Sequence, residues 1–178
     1  MQVALKDKPA SFTWEIGCGH GHFLTKYASI HPTRLFVGID LLSERLRKAA
    51  KKQQTARVEN VLFIKAKAEE FLKCLPGDAG IEEVLILFPD PWPKKRHHKN
   101  RLIQDSFLES LAARMLPHGR LYFRTDHEPY FEWTRRIIAD HPSWELDLGA
   151  PWVLEEPTVF QKKAGSFNSL VARLKTPS

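Results

Sequence analysis

Hydrophobic residues along this chain fall into short runs separated by amphipathic stretches. Phe12–Ile16 predicts a first strand, and the glycine-rich segment Gly17–Gly21 separates it from a helix reaching about Ile30. Arg34–Ile39 predicts a second strand, and Ser43 opens a basic helix to about Gln54 with Leu42 and Leu46 towards the core. Val61–Ile64 predicts a third strand, and Ala68–Leu75 a short helix stopped by Pro76-Gly77. Glu83–Phe88 reads EVLILF, the near-continuous apolar pattern of a strand covered on both faces. After a proline-rich interruption, residues 102–116 carry Leu108, Leu111, Ala112 and Met115 at helical spacing. Pro117-His118-Gly119 stops that helix, Arg120–Arg124 predicts a fifth strand, and Pro129–Ala139 another helix. Trp144–Leu148 and Phe167–Leu174 predict two late strands joined by a long, proline-marked connection. The alternation points to an α/β fold: a doubly wound, mostly parallel sheet with helices on both faces and a strand-rich C-terminal end. No repeat, low-complexity tract or linker divides the chain, so one domain is expected over residues 1–178.

The bulk numbers change this picture little. Apolar residues make up 43% of the 178 and charged residues 27%, an ordinary balance for a globular protein. Lys and Arg outnumber Asp and Glu by 27 to 21, a surplus that permits a polyanionic partner without naming one. Cys18 and Cys74 form no CxxC pair and no cluster with histidines, which argues against a disulfide scaffold or a metal site and fits a reducing compartment. The N-terminus has no apolar stretch of signal length, and no run approaches the ~20 residues that span a bilayer. No membrane partner and a cytoplasmic location are therefore expected.

The sharpest early feature is Trp14-Glu15-Ile16-Gly17-Cys18-Gly19-His20-Gly21, between a strand and a helix. Small residues there let a ligand approach the backbone and the helix terminus. A nicotinamide fingerprint requires a sixth-place glycine, but His22 stands there, and no phosphate-binding loop ending in GK[ST] occurs. Asp40 follows the second strand and can take both hydroxyls of a ribose. Glu15 would crowd a pyrophosphate but suits a cationic, phosphate-free ligand with an amino-acid group. Cys18 is read as a small buried side chain rather than a nucleophile.

After the fourth strand comes Pro89-Asp90-Pro91-Trp92-Pro93-Lys94-Lys95-Arg96-His97-His98-Lys99-Asn100-Arg101. Strand C-termini in an open α/β sheet carry the ligand crevice, so this segment should emerge beside the cofactor. Five Lys/Arg occupy positions 94–101, and the positive surplus is read as concentrated there, as a phosphate-backbone patch next to a reaction centre. The prolines restrain the loop, Trp92 offers a stacking or packing surface, and His97 and His98 serve as RNA-facing donors or packing residues.

Two of these segments resemble known motifs. The E-x-G-x-G-x-G pattern is similar to the first motif of class I methyltransferases, whose glycines pass under the methionine part of S-adenosylmethionine. PDPWPKKRHHKNR resembles the signature of the bacterial tRNA (guanine-N7)-methyltransferases, which modify guanine 46 in the variable loop. WEIGCGHGHFL, FVGIDLLSERL, FRTDHEPYFEW and PTVFQKKAGSF extend the resemblance along most of the chain. It implies a class I methyltransferase, Rossmann-like sheet with an antiparallel C-terminal strand, S-adenosylmethionine as cofactor and tRNA as partner. Glu15, Gly17, Gly19, Gly21, Asp40 and Asp90 would contact the cofactor, as would position 67. Asp90 would also be the catalytic residue, and Lys94, Asp126, Thr158 and Gln161 would contact the substrate. Lys95, Arg96, Lys99 and Arg101 would hold the RNA backbone. The chain departs from the family at Lys67, where an acid or Asn is usual, at Gln161, where Glu is usual, and in its short N-terminus.

Guanine N7 has an in-plane lone pair, so its methylation needs alignment and electrostatic support rather than a base. A methyltransferase for an exocyclic amine would carry Asn/Asp-Pro-Pro-Tyr after strand four, where this chain has PDPW. A noncatalytic RNA-binding member of the fold is the other alternative, motivated by Lys67 and Gln161. Monomer and homodimer are both open.

Overall fold

The computed structural model describes residues 11–155 and 165–175. Seven strands form one sheet in the order β3-β2-β1-β4-β5-β7-β6. In chain order the elements are β1 (Ser11–Ile16), α1 (His22–Ile30), β2 (Leu35–Asp40), α2 (Ser43–Thr55), β3 (Val61–Lys65), α3 (Ala68–Cys74) and β4 (Gly80–Leu87). A 3-10 helix (Lys95–Asn100) precedes α4 (Asp105–Ala112), β5 (Met115–Thr125), α5 (Glu128–Asp140), β6 (Trp144–Leu146) and β7 (Asn168–Leu174). The first five strands pair in parallel, while β7 runs antiparallel to both β5 and β6. The expected doubly wound sheet with an antiparallel end is therefore the fold of this protein.

The sheet divides the core in two because alternate strand residues point to opposite faces. Trp14, Val37, Ile86 and Phe123 pack on one face with Phe71 of α3, Leu108 of α4 and Ile138 of α5. Phe36, Leu85 and Tyr122 pack on the other with Phe23, Leu24 and Tyr27 of α1. Trp14 is fully buried, and its ring stacks on Phe71 with centroids 4.8 Å apart. Trp152, Val153 and Leu154, in the connection before β7, cover the second face beside Tyr122 of β5 and Val171 of β7.

Three expectations are corrected. The helix read over 102–116 is limited to Asp105–Ala112, and Met115 instead pairs with Ile81 at the start of β5. Pro117-His118-Gly119 belongs to an irregular stretch within β5, between the pairings Ile81↔Met115 and Glu83↔Arg120. An apolar residue spaced at either period fits both readings, and only strand pairing separates them. Leu42 does not face the core: it is 52% exposed just before α2, whereas Leu46 is buried.

Candidate active site

The C-terminal ends of β1, β2, β3, β4 and β5 lie along one edge, with β1 flanked by β2 and β4. The backbone after β1 turns sharply there. Gly17, Gly19 and Gly21 all have positive φ, which side-chain-bearing residues adopt only at a cost. The amides of Gly17 and Cys18 both donate to the Ile39 carbonyl, at 2.8 and 2.9 Å, which ties the turn to β2. A Cβ at Gly17 or Gly19 would meet nothing within 4 Å, so the turn presents open space above its backbone. Gly21 works differently: a Cβ there would lie 2.6 Å from the Phe63 ring and 2.8 Å from Ala49. The missing side chain there lets α1 start close against α2 and β3.

Asp40, buried at the end of β2, holds the turn from the side. Its Oδ2 accepts from the Gly19 amide at 3.0 Å and its Oδ1 from the Leu42 amide at 2.8 Å, with Arg45 at 3.7 Å. Glu15 is 4% exposed, and its Oε2 has no hydrogen-bond partner among the described residues. Burial, with the nearby Asp40 charge adding to it, pushes the Glu15 carboxyl up to about 8. A buried carboxylate with a free acceptor is costly on its own and becomes favourable beside a bound cation. Burial, with the neighbouring Glu15 and Asp40 charges adding to it, pushes the Cys18 thiol up and keeps it protonated, so it is no nucleophile. Lys67 lies at the β3–α3 junction, exposed and 3.5 Å from Glu70.

Across β1 from Asp40, β4 ends in a second strained turn. Phe88 has φ +52° and Trp92 φ +45°, bracketing the Pro89–Pro91 segment. Strain of this kind, at about 1–3 kcal/mol a residue, persists only where surrounding contacts impose it. Here the Phe88 amide donates to the Arg124 carbonyl at 2.7 Å. Arg101 supplies the other restraint: its Nε donates to the Pro91 carbonyl at 3.0 Å, and its guanidinium lies 4.8 and 5.3 Å from the ring centroids of Tyr130 and Trp133. That corrects its expected place on an RNA face, since Arg101 is only 2% exposed. His97 and His98 take the packing role, edge-on to Trp92 and Trp133. Asp90, Lys94, Lys95, Arg96 and Lys99 stand exposed, as does Asp126 after β5. Thr158 and Gln161 lie outside the described residues.

One participant went unread in the sequence. Arg124, 4% exposed near the end of β5, donates to Ser169 Oγ at 2.7 Å and pairs with Glu155 at 3.3 Å. Its guanidinium lies 4.0 Å from the Trp152 ring centroid and 4.6 Å from that of Phe167. It thereby anchors both ends of the connection that carries positions 158 and 161. A cation inside the otherwise apolar run LYFRT was its sequence signal. Among the described residues, no group of three or more His, Cys, Asp or Glu could hold a metal ion, and no helix is long and apolar enough to cross a membrane.

The sheet order, the positive-φ turn after β1 and the acid ending β2 define the class I methyltransferase fold. Solved structures share it at low identity. TrmN from Thermus thermophilus matches with a TM-score of 0.66 at 17% identity, over 97% of this chain and 46% of that one. A precorrin-6y C5,15-methyltransferase from Geobacter metallireducens matches at 0.64 and 13%, over 98% and 84%. The chain belongs to the family described as "Putative methyltransferase", whose model matches residues 9–177. Its sequence is 35% identical over 139 residues to a protein of Nitrosococcus oceani named tRNA (guanine-N(7)-)-methyltransferase, covering 78% of this chain and 59% of that one. A protein of the same name from Syntrophotalea carbinolica is 38% identical over 141 residues, covering 79% and 61%. The chain thus spans about three fifths of the length of these curated relatives.

Proposed function

We propose that this chain transfers the methyl group of S-adenosylmethionine to N7 of a guanine in tRNA. Guanine 46 of the variable loop is the target implied by the PDPWPKKRHHKNR resemblance. The observation that carries the reading is one juxtaposition: the Glu15–Asp40 crevice opens beside the exposed Asp90 turn and its cations, across the parallel β1–β4 pair.

The residues of the crevice suit the cofactor. Glu15 has the unpartnered acceptor that an ammonium group requires, and the open space over Gly17 and Gly19 admits a ligand against the backbone. Asp40 uses each oxygen once towards an amide, which leaves lone pairs for two ribose hydroxyls. The exposed side chains of Leu41 and Leu42 offer an apolar surface to the adenine ring. When bound, S-adenosylmethionine supplies an electrophilic methyl group on a sulfonium centre.

The protein's own contribution is positioning. Guanine N7 presents its lone pair in the ring plane, so no side chain need remove a proton from it. Asp90 and Asp126 accept hydrogen bonds from guanine N1 or N2, which excludes adenine and raises electron density in the ring. Lys94, Lys95, Arg96 and Lys99 hold the RNA backbone, and turning the base out of its stack brings it to the crevice. Arg101 restrains the Asp90 turn, and Arg124 holds Trp152, Glu155, Phe167 and Ser169. Incubation with S-adenosylmethionine and unmodified tRNA, followed by nucleoside digestion and mass spectrometry, should yield 7-methylguanosine. A 6-methyladenosine product, or cofactor binding without turnover of a competent tRNA, would overturn the proposal.

A further inference from the structure

The excess positive charge is not confined to the loop after β4. Residues 43–67 hold eight Lys/Arg against two acids, and residues 94–101 hold five against none, which leaves the rest of the chain at −5. Two basic segments therefore stand out from an otherwise acidic molecule. The sheet order sets them on opposite sides of the crevice. α2 leaves the C-terminal end of β2 and the basic loop leaves that of β4, with β1 and its glycine turn between them.

Within α2, Leu46 and Ala49 are buried, while Arg47, Lys48 and Lys51 are exposed. Lys48 is paired with Glu44, and Arg45 lies near Asp40. No salt bridge engages Arg47, Lys51, Lys52 or Arg57 among the described residues. Arg47–Lys51 and Lys48–Lys52 are like-charged pairs one turn apart, an arrangement that costs an isolated helix ~0.2–0.5 kcal/mol each. A polyanion on this face would relieve that cost. Arg47 and Lys48 fall within the first two turns, about 8 Å of helix from its start at the crevice.

We infer that the exposed face of α2, centred on Arg47 and Lys51, is a second phosphate-binding surface, so that tRNA bridges the crevice between α2 and the 94–100 segment. This rests on the tRNA reading above. Each phosphate contact releases counterions, so the two residues together should steepen the salt dependence of binding by about 1.5 in log–log slope.

The test is tRNA binding by the whole chain from 50 to 300 mM salt, compared with R47Q/K51Q, the charge-preserving R47K/K51R and the loop variant K94Q/R96Q. The inference expects R47Q/K51Q to lower the slope by about 1.5 and to weaken binding on the order of 30-fold at 0.1 M salt. R47K/K51R should keep the parent slope, and calorimetry should give all variants the parent affinity for S-adenosylmethionine. If K94Q/R96Q lowers the slope while R47Q/K51Q does not, the α2 surface fails and the tRNA reading stands. If the parent binds no tRNA, both fail. Binding to phosphatidylserine vesicles in place of tRNA, lost in R47Q/K51Q, would assign this face to a membrane and overturn the inference.

Discussion

Replacing Glu15 with Gln separates what this residue costs the folded chain from what it does for a ligand. The carboxyl moves from 4.5 to about 8 on folding, chiefly through burial, so the native state binds more protons than the unfolded chain between those values. Stability is then highest below the unfolded value, falls as pH rises, and levels off above the folded one. Integrated from pH 5 to pH 8, this single group removes roughly 3 to 4 kcal/mol. Gln keeps the shape and cannot ionise. Urea denaturation at several pH values should therefore show the parent losing that much more stability than E15Q across the range, with every other titration common to both. A cation bound against Glu15 reverses the preference, so S-adenosylmethionine binding at pH 7 should release close to one proton. Calorimetry in buffers of different ionisation enthalpy reads that number directly. Parallel pH–stability curves for parent and E15Q would refute the buried, unpartnered carboxyl, and binding with no proton release would refute its pairing with an ammonium group.

The two kinds of glycine should separate cleanly. Gly21→Ala drives a Cβ into Phe63 and Ala49 at positive φ and should cost ~2–4 kcal/mol in urea denaturation, whereas Gly19→Ala meets open space and should cost ~1 kcal/mol while abolishing cofactor binding by calorimetry. Arg101→Met removes the hydrogen bond to Pro91 and the cation over Tyr130 and Trp133, and thermal melts should register a loss of ~2–3 kcal/mol; an unchanged midpoint would place Arg101 outside the loop's restraints. Asp90→Ala should abolish methyl transfer in a single-turnover assay and change tRNA affinity less than threefold, because the loop's cations remain; equal transfer by parent and variant would exclude its role.

Strand and helix order, the glycine turn and the basic loop were legible in the sequence, because apolar period, glycine spacing and charge are local properties. Glu15 and Asp40 were legible for the same reason: each stands at or next to the end of a strand whose position the pattern shows. Local pattern does not show what a side chain meets. Arg101 and Lys99 read alike as cations in one basic run, yet aromatic rings of α5 bury one and leave the other in solvent. Gly19 and Gly21 read alike as motif glycines, and only the packing of β3 and α2 against the second distinguishes them.

By itself, then, the sequence determined the βα order, the acids that frame the crevice and the presence of a basic loop after β4. Tertiary structure decided which of those residues face open space and which face the core, since burial depends on neighbours distant in the chain. It also brought α2 to the far side of the crevice from that loop, because strand order rather than chain order sets which segments share an edge. Arg124 acquired its role in the same way, from rings more than 25 residues away that the antiparallel end of the sheet folds against it.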